Sequence, residues 1–321
     1  MTQFAEDFAF LQNLLRNTDQ VEPPPPTIEK FRHMLIAAAN MFPDDSHVLD
    51  LLNKYAFQPI TGASREFFKA SRRVCLIDRA DGSEATAFLV EPDLILTAAH
   101  AMMGTAGIFA DPTKITVRFD DFMWSDGKPA QGATCHLETS AGGTQPEVVA
   151  SSITVDSSGT RIVAEENGLD YVLLRLDRKI GNEPLPFTSR LRGWMNLSVI
   201  NDRPTEGPVD VLQHPQGQLL RVGRGFVDDA PGLNDKRFQY RAITRLASSG
   251  APVLDSGKRL IGMHVAASAN GIATGIVIKQ IFDDLHRKGI QLLPPPPSVD
   301  DDRVGPQSGA RIRRRRPQPS P

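Results

Sequence analysis

Thr86-Ala87-Phe88-Leu89-Val90-Glu91-Pro92-Asp93-Leu94-Ile95-Leu96-Thr97-Ala98-Ala99-His100 holds two short apolar runs, 87–90 and 94–96, the second ending in small residues and a histidine. Runs of this length are strand-type, too short for ordinary helices. Similar runs lie on either side: Val74-Cys75-Leu76-Ile77, Ile115-Thr116-Val117-Arg118-Phe119, Val172-Leu173-Leu174, Val209-Asp210-Val211-Leu212, 260–265 and 272–278. Turn dipeptides such as Asp81-Gly82, Asp126-Gly127, Gly142-Gly143 and Ser256-Gly257 separate them. Many short strands without long helical patterns between them predict an all-β sandwich or barrel. Ile281, Phe282 and Leu285 mark one closing helix over 279–288, and the core-poor stretch 123–168 predicts long loops around one or two strands.

The ends read differently. Residues 1–57 carry eight acidic and four basic side chains, with apolar residues at helical spacing. Phe8, Leu11, Leu14 and Leu15 form one helical face, Phe31, Met34, Leu35 and Ala38 a second, and Val48, Leu51, Leu52 and Tyr55 a third. These predict a small helical domain, with Pro23 to Pro26 between its first two helices and a linker over 58–69. The β-rich domain then occupies 70–290. Pro294 to Pro297 begin a tail, 291–321, whose composition predicts disorder and whose Arg311 and Arg313 to Arg316 could meet an acidic partner.

With a net charge of −2 despite that arginine tail, the folded body is acidic, which argues against a general nucleic-acid binder. No run approaches the length of a membrane span, and the first residues show no secretory leader. Two cysteines, Cys75 and Cys135, make neither a disulfide framework nor a zinc site. A cytoplasmic protein with reduced thiols, no metal and no cofactor is expected.

Three segments carry the residue types that acyl transfer needs. Leu94 to His100 presents a histidine at a strand end. Leu169-Asp170-Tyr171-Val172 sets an aspartate before a buried strand, and Ala247-Ser248-Ser249-Gly250-Ala251-Pro252 presents a serine on a turn of small residues. A serine hydroxyl becomes a useful nucleophile when a neutral imidazole accepts its proton. A buried carboxylate fixes the imidazole tautomer and stabilises the imidazolium. The chain order His, Asp, Ser is the one found in double β-barrels.

These blocks, with Leu212-Gln213-His214-Pro215-Gln216-Gly217 and Ile261-Gly262-Met263-His264, resemble the chymotrypsin-like serine peptidases over roughly residues 70–285. Within that family, Leu212-Gln213-His214-Pro215-Gln216-Gly217 is similar to a segment of the bacterial glutamyl-endopeptidase-like branch. The resemblance implies two six-stranded antiparallel β-barrels and endopeptidase activity on a protein or peptide substrate. It also implies His100 as general base, Asp170 as orienting carboxylate, Ser249 as nucleophile, and the backbone N–H groups of Ala247 and Ser249 as oxyanion hole. The family has glycine where this chain has Ala87 and Ala247. The position of Ala247 often needs a conformation easiest for glycine, where an L-residue costs about 1 kcal/mol, and losing its N–H would remove one oxyanion donor.

Thr244 and His264 match positions that line the first pocket in glutamyl endopeptidases and picornaviral processing proteases, implying a preference for Glu or Gln. The structural alternative makes Thr244 an ordinary strand residue and His264 a satisfied barrel histidine. Ile243 and the lack of a pocket aspartate argue against an Arg or Lys preference, and His214 reads as structural.

Residues 1–57 also resemble, through Met41-Phe42-Pro43-Asp44-Asp45, the effector-associated domains, death-like adaptors of bacterial conflict systems found fused to trypsin-like peptidases. That implies an adaptor partner and recruitment-dependent activation; a structural cap on the barrel is the other reading. The rival to an active peptidase is a pseudoprotease that binds protein and has its oxyanion hole spoiled at Ala247.

Overall fold

The computed structural model describes residues 57–58, 65–103, 110–122, 132–140, 146–152, 168–185, 190–198, 203–228, 235–268 and 271–296. The predicted helices of 1–56 and the arginine tail from 297 onward lie outside them.

Seven antiparallel strands make the first sheet: β2 (Val74–Arg79), β3 (Glu84–Leu89), β4 (Leu94–Ala98), β5 (Ile115–Phe119), β6 (Ala133–Cys135), β7 (Val148–Ser152) and β8 (Tyr171–Arg175). Their order is β6-β5-β2-β3-β4-β8-β7. Successive side chains of a strand point to opposite faces, and here both faces are covered. Ala87 and Leu89 of β3, Ile95 of β4, and Val172 and Leu174 of β8 fill the inside. Phe88, Leu94, Leu96, Ala98, Tyr171 and Leu173 face outward, into a second cluster shared with the other sheet. That double burial is why these strands read as continuous apolar runs.

The second sheet is a closed barrel of six strands: β9 (Pro208–Gln213), β10 (Arg221–Asp228), β11 (Arg237–Ala242), β12 (Pro252–Asp255), β13 (Leu260–Ala267) and β14 (Ile272–Val277). It runs β10-β11-β14-β13-β12-β9, and β9 pairs back with β10. The short β1 (Phe57–Gln58) adds to β10 opposite Gly223 and Val222. Leu212, Leu254, Met263 and Ile276 meet the outward face of the first sheet, so the two barrels share one apolar seam. The mainly β, trypsin-like double-barrel architecture is the one the resemblance implies, except that the first sheet has seven strands rather than six. Among the described residues, the ends of that sheet meet only through the isolated bridges Leu137–Leu176 and Thr139–Pro146.

The closing helix is α2 (Ile278–Arg287), preceded in the chain by α1 (Arg65–Ser71). Ile278, Ile281 and Leu285 enter the seam, and Tyr171 donates to Asp284 at 2.7 Å. Two stretches that the sequence reading placed outside the barrels are held against them. Phe67 of α1, in the expected linker, is buried in the seam. Past α2, the N–H of Leu293 donates to Glu91 at 2.7 Å, and its carbonyl accepts from the Trp194 indole at 3.0 Å. The start of the expected tail therefore lies along the first barrel. Of the expected loop region 123–168, the described parts contain β6 and β7.

Candidate active site

His100 follows directly after β4, and Asp170 immediately precedes β8. These strands pair with Ala98 opposite Tyr171, so the register sets the two residues side by side. Asp170 fixes the histidine twice: Oδ1 accepts the His100 backbone N–H at 3.0 Å, and Oδ2 lies 2.6 Å from Nδ1. The Asp170 carbonyl also accepts the Ala99 N–H at 3.0 Å. Asp170 adopts a left-handed φ of 39°, which Asp tolerates better than most residues. Its side chain is 8 % exposed, whereas that of His100 is 38 % exposed. The carboxylate is thus enclosed and the imidazole partly open to solvent.

Ser249 comes from the second barrel, in the turn between β11 and β12. Its Oγ lies 2.9 Å from His100 Nε2. With Nδ1–H donating to Asp170, the free Nε2 lone pair faces the serine hydroxyl, and Ser249 Oγ–H donates to it. The structure therefore brings His100, Asp170 and Ser249 into one hydrogen-bonded chain across the seam. Gly250 makes this approach possible: its φ is +87°, and a Cβ there would stand 2.1 Å from the Thr86 carbonyl oxygen and 2.2 Å from Thr97 Oγ1.

Ala247 adopts φ +68°, the left-handed conformation that glycine reaches without strain. Among the described residues, neither the Ala247 nor the Ser249 backbone N–H donates to a protein acceptor. The Leu246 carbonyl accepts from Gln216 N–H at 2.7 Å, and in a trans peptide the Ala247 N–H points to the opposite side. Buried side chains support this turn from below. Ser248 Oγ donates to Gln213 Oε1, and Gln213 Nε2 donates to the Ile243 carbonyl at 2.6 Å.

His264 is buried on β13, and its Nδ1 lies 2.6 Å from the Tyr240 hydroxyl. The Tyr240 hydroxyl has no other hydrogen-bond partner among the described residues, so its buried O–H donates to Nδ1 and the imidazole proton resides on Nε2. Desolvation first, and then the neighbouring His100, hold the His264 pKa down to about 3, so the ring is neutral at physiological pH. Burial likewise pushes the Tyr240 hydroxyl up. Thr244 is half-buried, and no hydrogen bond joins it to His264 among the described residues.

His214 is structural in its contacts. It is fully buried, its Nδ1–H donates to the Gln218 carbonyl at 2.9 Å, and desolvation lowers its pKa to about 4. The sequence reading missed Tyr240, Gln213 and Thr86. Tyr240 alone carried a usable signal, as a buried-type residue in the alternating Arg237-Phe238-Gln239-Tyr240-Arg241-Ala242. Among the described residues, no group of three or more His, Cys, Asp or Glu side chains could hold a metal ion, and no helix is long and apolar enough to cross a membrane.

Residues 85–263, more than half of the chain, match the trypsin-like peptidase domain family. No curated protein matches the sequence. Solved structures do. A Glu endopeptidase in complex with MPD shares 17 % identity, with a TM-score of 0.50, over 73 % of this chain and 96 % of its own. An M. tuberculosis protease in its active form shares 18 %, with a TM-score of 0.43, over 72 % of this chain and 87 % of its own. A serine endoprotease from Yersinia pestis shares 15 %, with a TM-score of 0.46, over 70 % of this chain and 66 % of its own. At these identities the likeness is one of fold.

Proposed function

The chain belongs to the trypsin-like peptidase family and is by that membership a serine peptidase, and from this premise we propose that it hydrolyses peptide bonds through an acyl-enzyme on Ser249. His100 Nε2 takes the hydroxyl proton as Ser249 Oγ attacks the carbonyl carbon, and Asp170 stabilises the imidazolium. The N–H groups of Ala247 and Ser249 receive the developing oxyanion. His100 then returns the proton to the leaving amine, and water releases the acyl group by the same steps in reverse.

The unbroken chain from Asp170 Oδ2 through His100 to Ser249 Oγ, with links of 2.6 and 2.9 Å, carries this reading. The rival, a pseudoprotease acting as a binding module, draws on Ala247 standing in the family's glycine position. The left-handed φ at Ala247 weighs against it, because the alanine holds the conformation glycine would take. A fluorophosphonate probe decides between them: the active enzyme is labelled, and Ser249→Ala is not. Absence of label on the wild type, with or without a partner, supports the pseudoprotease.

For specificity we take a Glu or Gln side chain as the residue recognised, with the Nε2–H of His264 and the hydroxyl of Thr244 as its donors. Neutral His264 suits an amide at least as well as a carboxylate. Cleavage of a peptide library after Arg or Lys would remove this assignment. Recruitment of a partner through residues 1–57 in a bacterial signalling or defence system, and docking of the arginine tail on an acidic partner, rest on sequence alone. The free thiols of Cys75 and Cys135 accord with a reducing, cytoplasmic setting. Deleting residues 1–56 and finding activation unchanged would remove the adaptor role.

A further inference from the structure

We infer that Thr86, on the first barrel, is the positioning residue that holds the oxyanion turn of the second barrel in its working shape; this rests on the serine-peptidase reading above. Thr86 is fully buried, and each of its polar groups is engaged. Its hydroxyl donates to the Ala247 carbonyl at 2.7 Å and accepts the His214 backbone N–H at 3.0 Å. Its own N–H donates to the Ser249 carbonyl at 3.0 Å, and its carbonyl accepts from Thr97 Oγ1 at 2.8 Å. One residue thus grips both residues whose N–H groups face the oxyanion.

The grip matters because residue 247 is alanine. Its left-handed conformation is disfavoured for an L-residue, so something must hold it. Both peptides flanking its Cα are tied down: the Leu246 carbonyl by Gln216 N–H, and the Ala247 carbonyl by Thr86 Oγ1–H. With two planar peptides fixed, φ and ψ between them are fixed as well. Without the hydroxyl, the Ala247 carbonyl and the His214 N–H lose their partner. The alanine then relaxes toward negative φ, carrying its N–H away from the oxyanion. Glycine populates both signs of φ, so at residue 247 it would depend far less on the clamp.

The test is the rate of phosphonylation of the full-length protein by a fluorophosphonate, in which Ser249 Oγ displaces fluoride from phosphorus and its proton leaves through His100. Thr86→Val is expected to lower the inactivation rate constant by about 10²-fold, the size of one lost oxyanion donor, with little change in the half-saturating probe concentration. Thr86→Ser keeps the hydroxyl and restores the rate. In an Ala247→Gly background, removing the hydroxyl is expected to cost less than about tenfold, since glycine does not resist the left-handed φ. Thr86→Ala provides a second clamp-free variant with the same expected dependence on residue 247. Wild-type labelling rates in both Thr86→Val and Thr86→Ala, or equal losses in the Ala247 and Gly backgrounds, would overturn the inference while leaving the peptidase reading intact. An unlabelled wild type would instead overturn that reading, and this inference with it.

Discussion

The first barrel has an interior of hydrocarbon and two thiols, with the buried charges Arg72, Asp120 and Arg192 paired among themselves away from the strand-end histidine and aspartate, whereas the second buries a polar framework directly beneath its half of the site. Ile77, Leu89, Ile95, Phe119, Val172, Cys75 and Cys135 occupy the one interior. Gln213, Ser248, Tyr240 and His264 are buried in the other. The difference follows from how each barrel presents its reactive groups. His100 and Asp170 sit at the ends of paired strands, where backbone register and one carboxylate suffice to align them. Ser249 and Ala247 lie in a turn with two left-handed residues, Ala247 and Gly250, three apart, and such a turn must be held by hydrogen bonds from below. Buried polar groups tolerate loss of a partner poorly, so damage to the strand-end pair should act on chemistry and damage to the framework beneath the turn on stability.

The largest effect expected is at the strand-end pair. Asp170→Asn keeps the shape but favours the wrong imidazole tautomer, and kcat should fall about 10⁴-fold with the melting temperature nearly unchanged. A loss under tenfold in a peptide cleavage assay would break the first half of the comparison. Next comes Gln213→Leu, which leaves the Ile243 carbonyl without a donor and the Ser248 hydroxyl proton without an acceptor, although Ser248 Oγ still accepts the Arg245 N–H at 2.9 Å. Denaturant unfolding should show a loss of about 3 kcal/mol, since each buried orphan costs about 1–3 kcal/mol.

Acid sharpens the contrast further, because both deeply depressed histidines serve the second barrel. Folded pKa values of about 4 for His214 and about 3 for His264 lie below the ordinary 6.5. As the pH falls through 6.5, the unfolded chain binds protons that the folded barrel refuses. Stability is therefore complete above about pH 6.5 and declines until the folded values are reached. At about pH 5 the loss should be about 2 kcal/mol for each histidine. Hydrogen exchange at that pH should open β9 and β13 before β3 and β4; the reverse order would contradict the assignment. The smallest effect belongs to the apolar interior: Cys75→Ala should cost about 1 kcal/mol with unchanged turnover.

The architecture was legible where strands are buried on both faces. Ile115–Phe119 reads as a strand and is one, and the runs at Val74, Leu94 and Val172 fall inside β2, β4 and β8. β10 and β11 escaped notice because Arg and Gly interrupt the apolar residues of β10 and those of β11 alternate with Arg and Gln, so neither contains a long run. His100, Asp170 and Ser249 were nameable because their local blocks are distinctive. Thr86 and Gln213 were not, since each acts through a partner far along the chain, and the alternation that marks Tyr240 as buried does not name its partner His264. The Thr86 to Ala247 bond spans 161 residues, and no local spacing announces it.

The central claim is that Ser249, activated by His100, forms a covalent acyl intermediate. Its most direct test is to expose the full-length protein briefly to a p-nitrophenyl ester, quench in acid, and map the acylated peptide by mass spectrometry. The account predicts an acyl group on Ser249 that is absent from both Ser249→Ala and His100→Ala. An unmodified Ser249, or acylation that survives His100→Ala at the same rate, would contradict it.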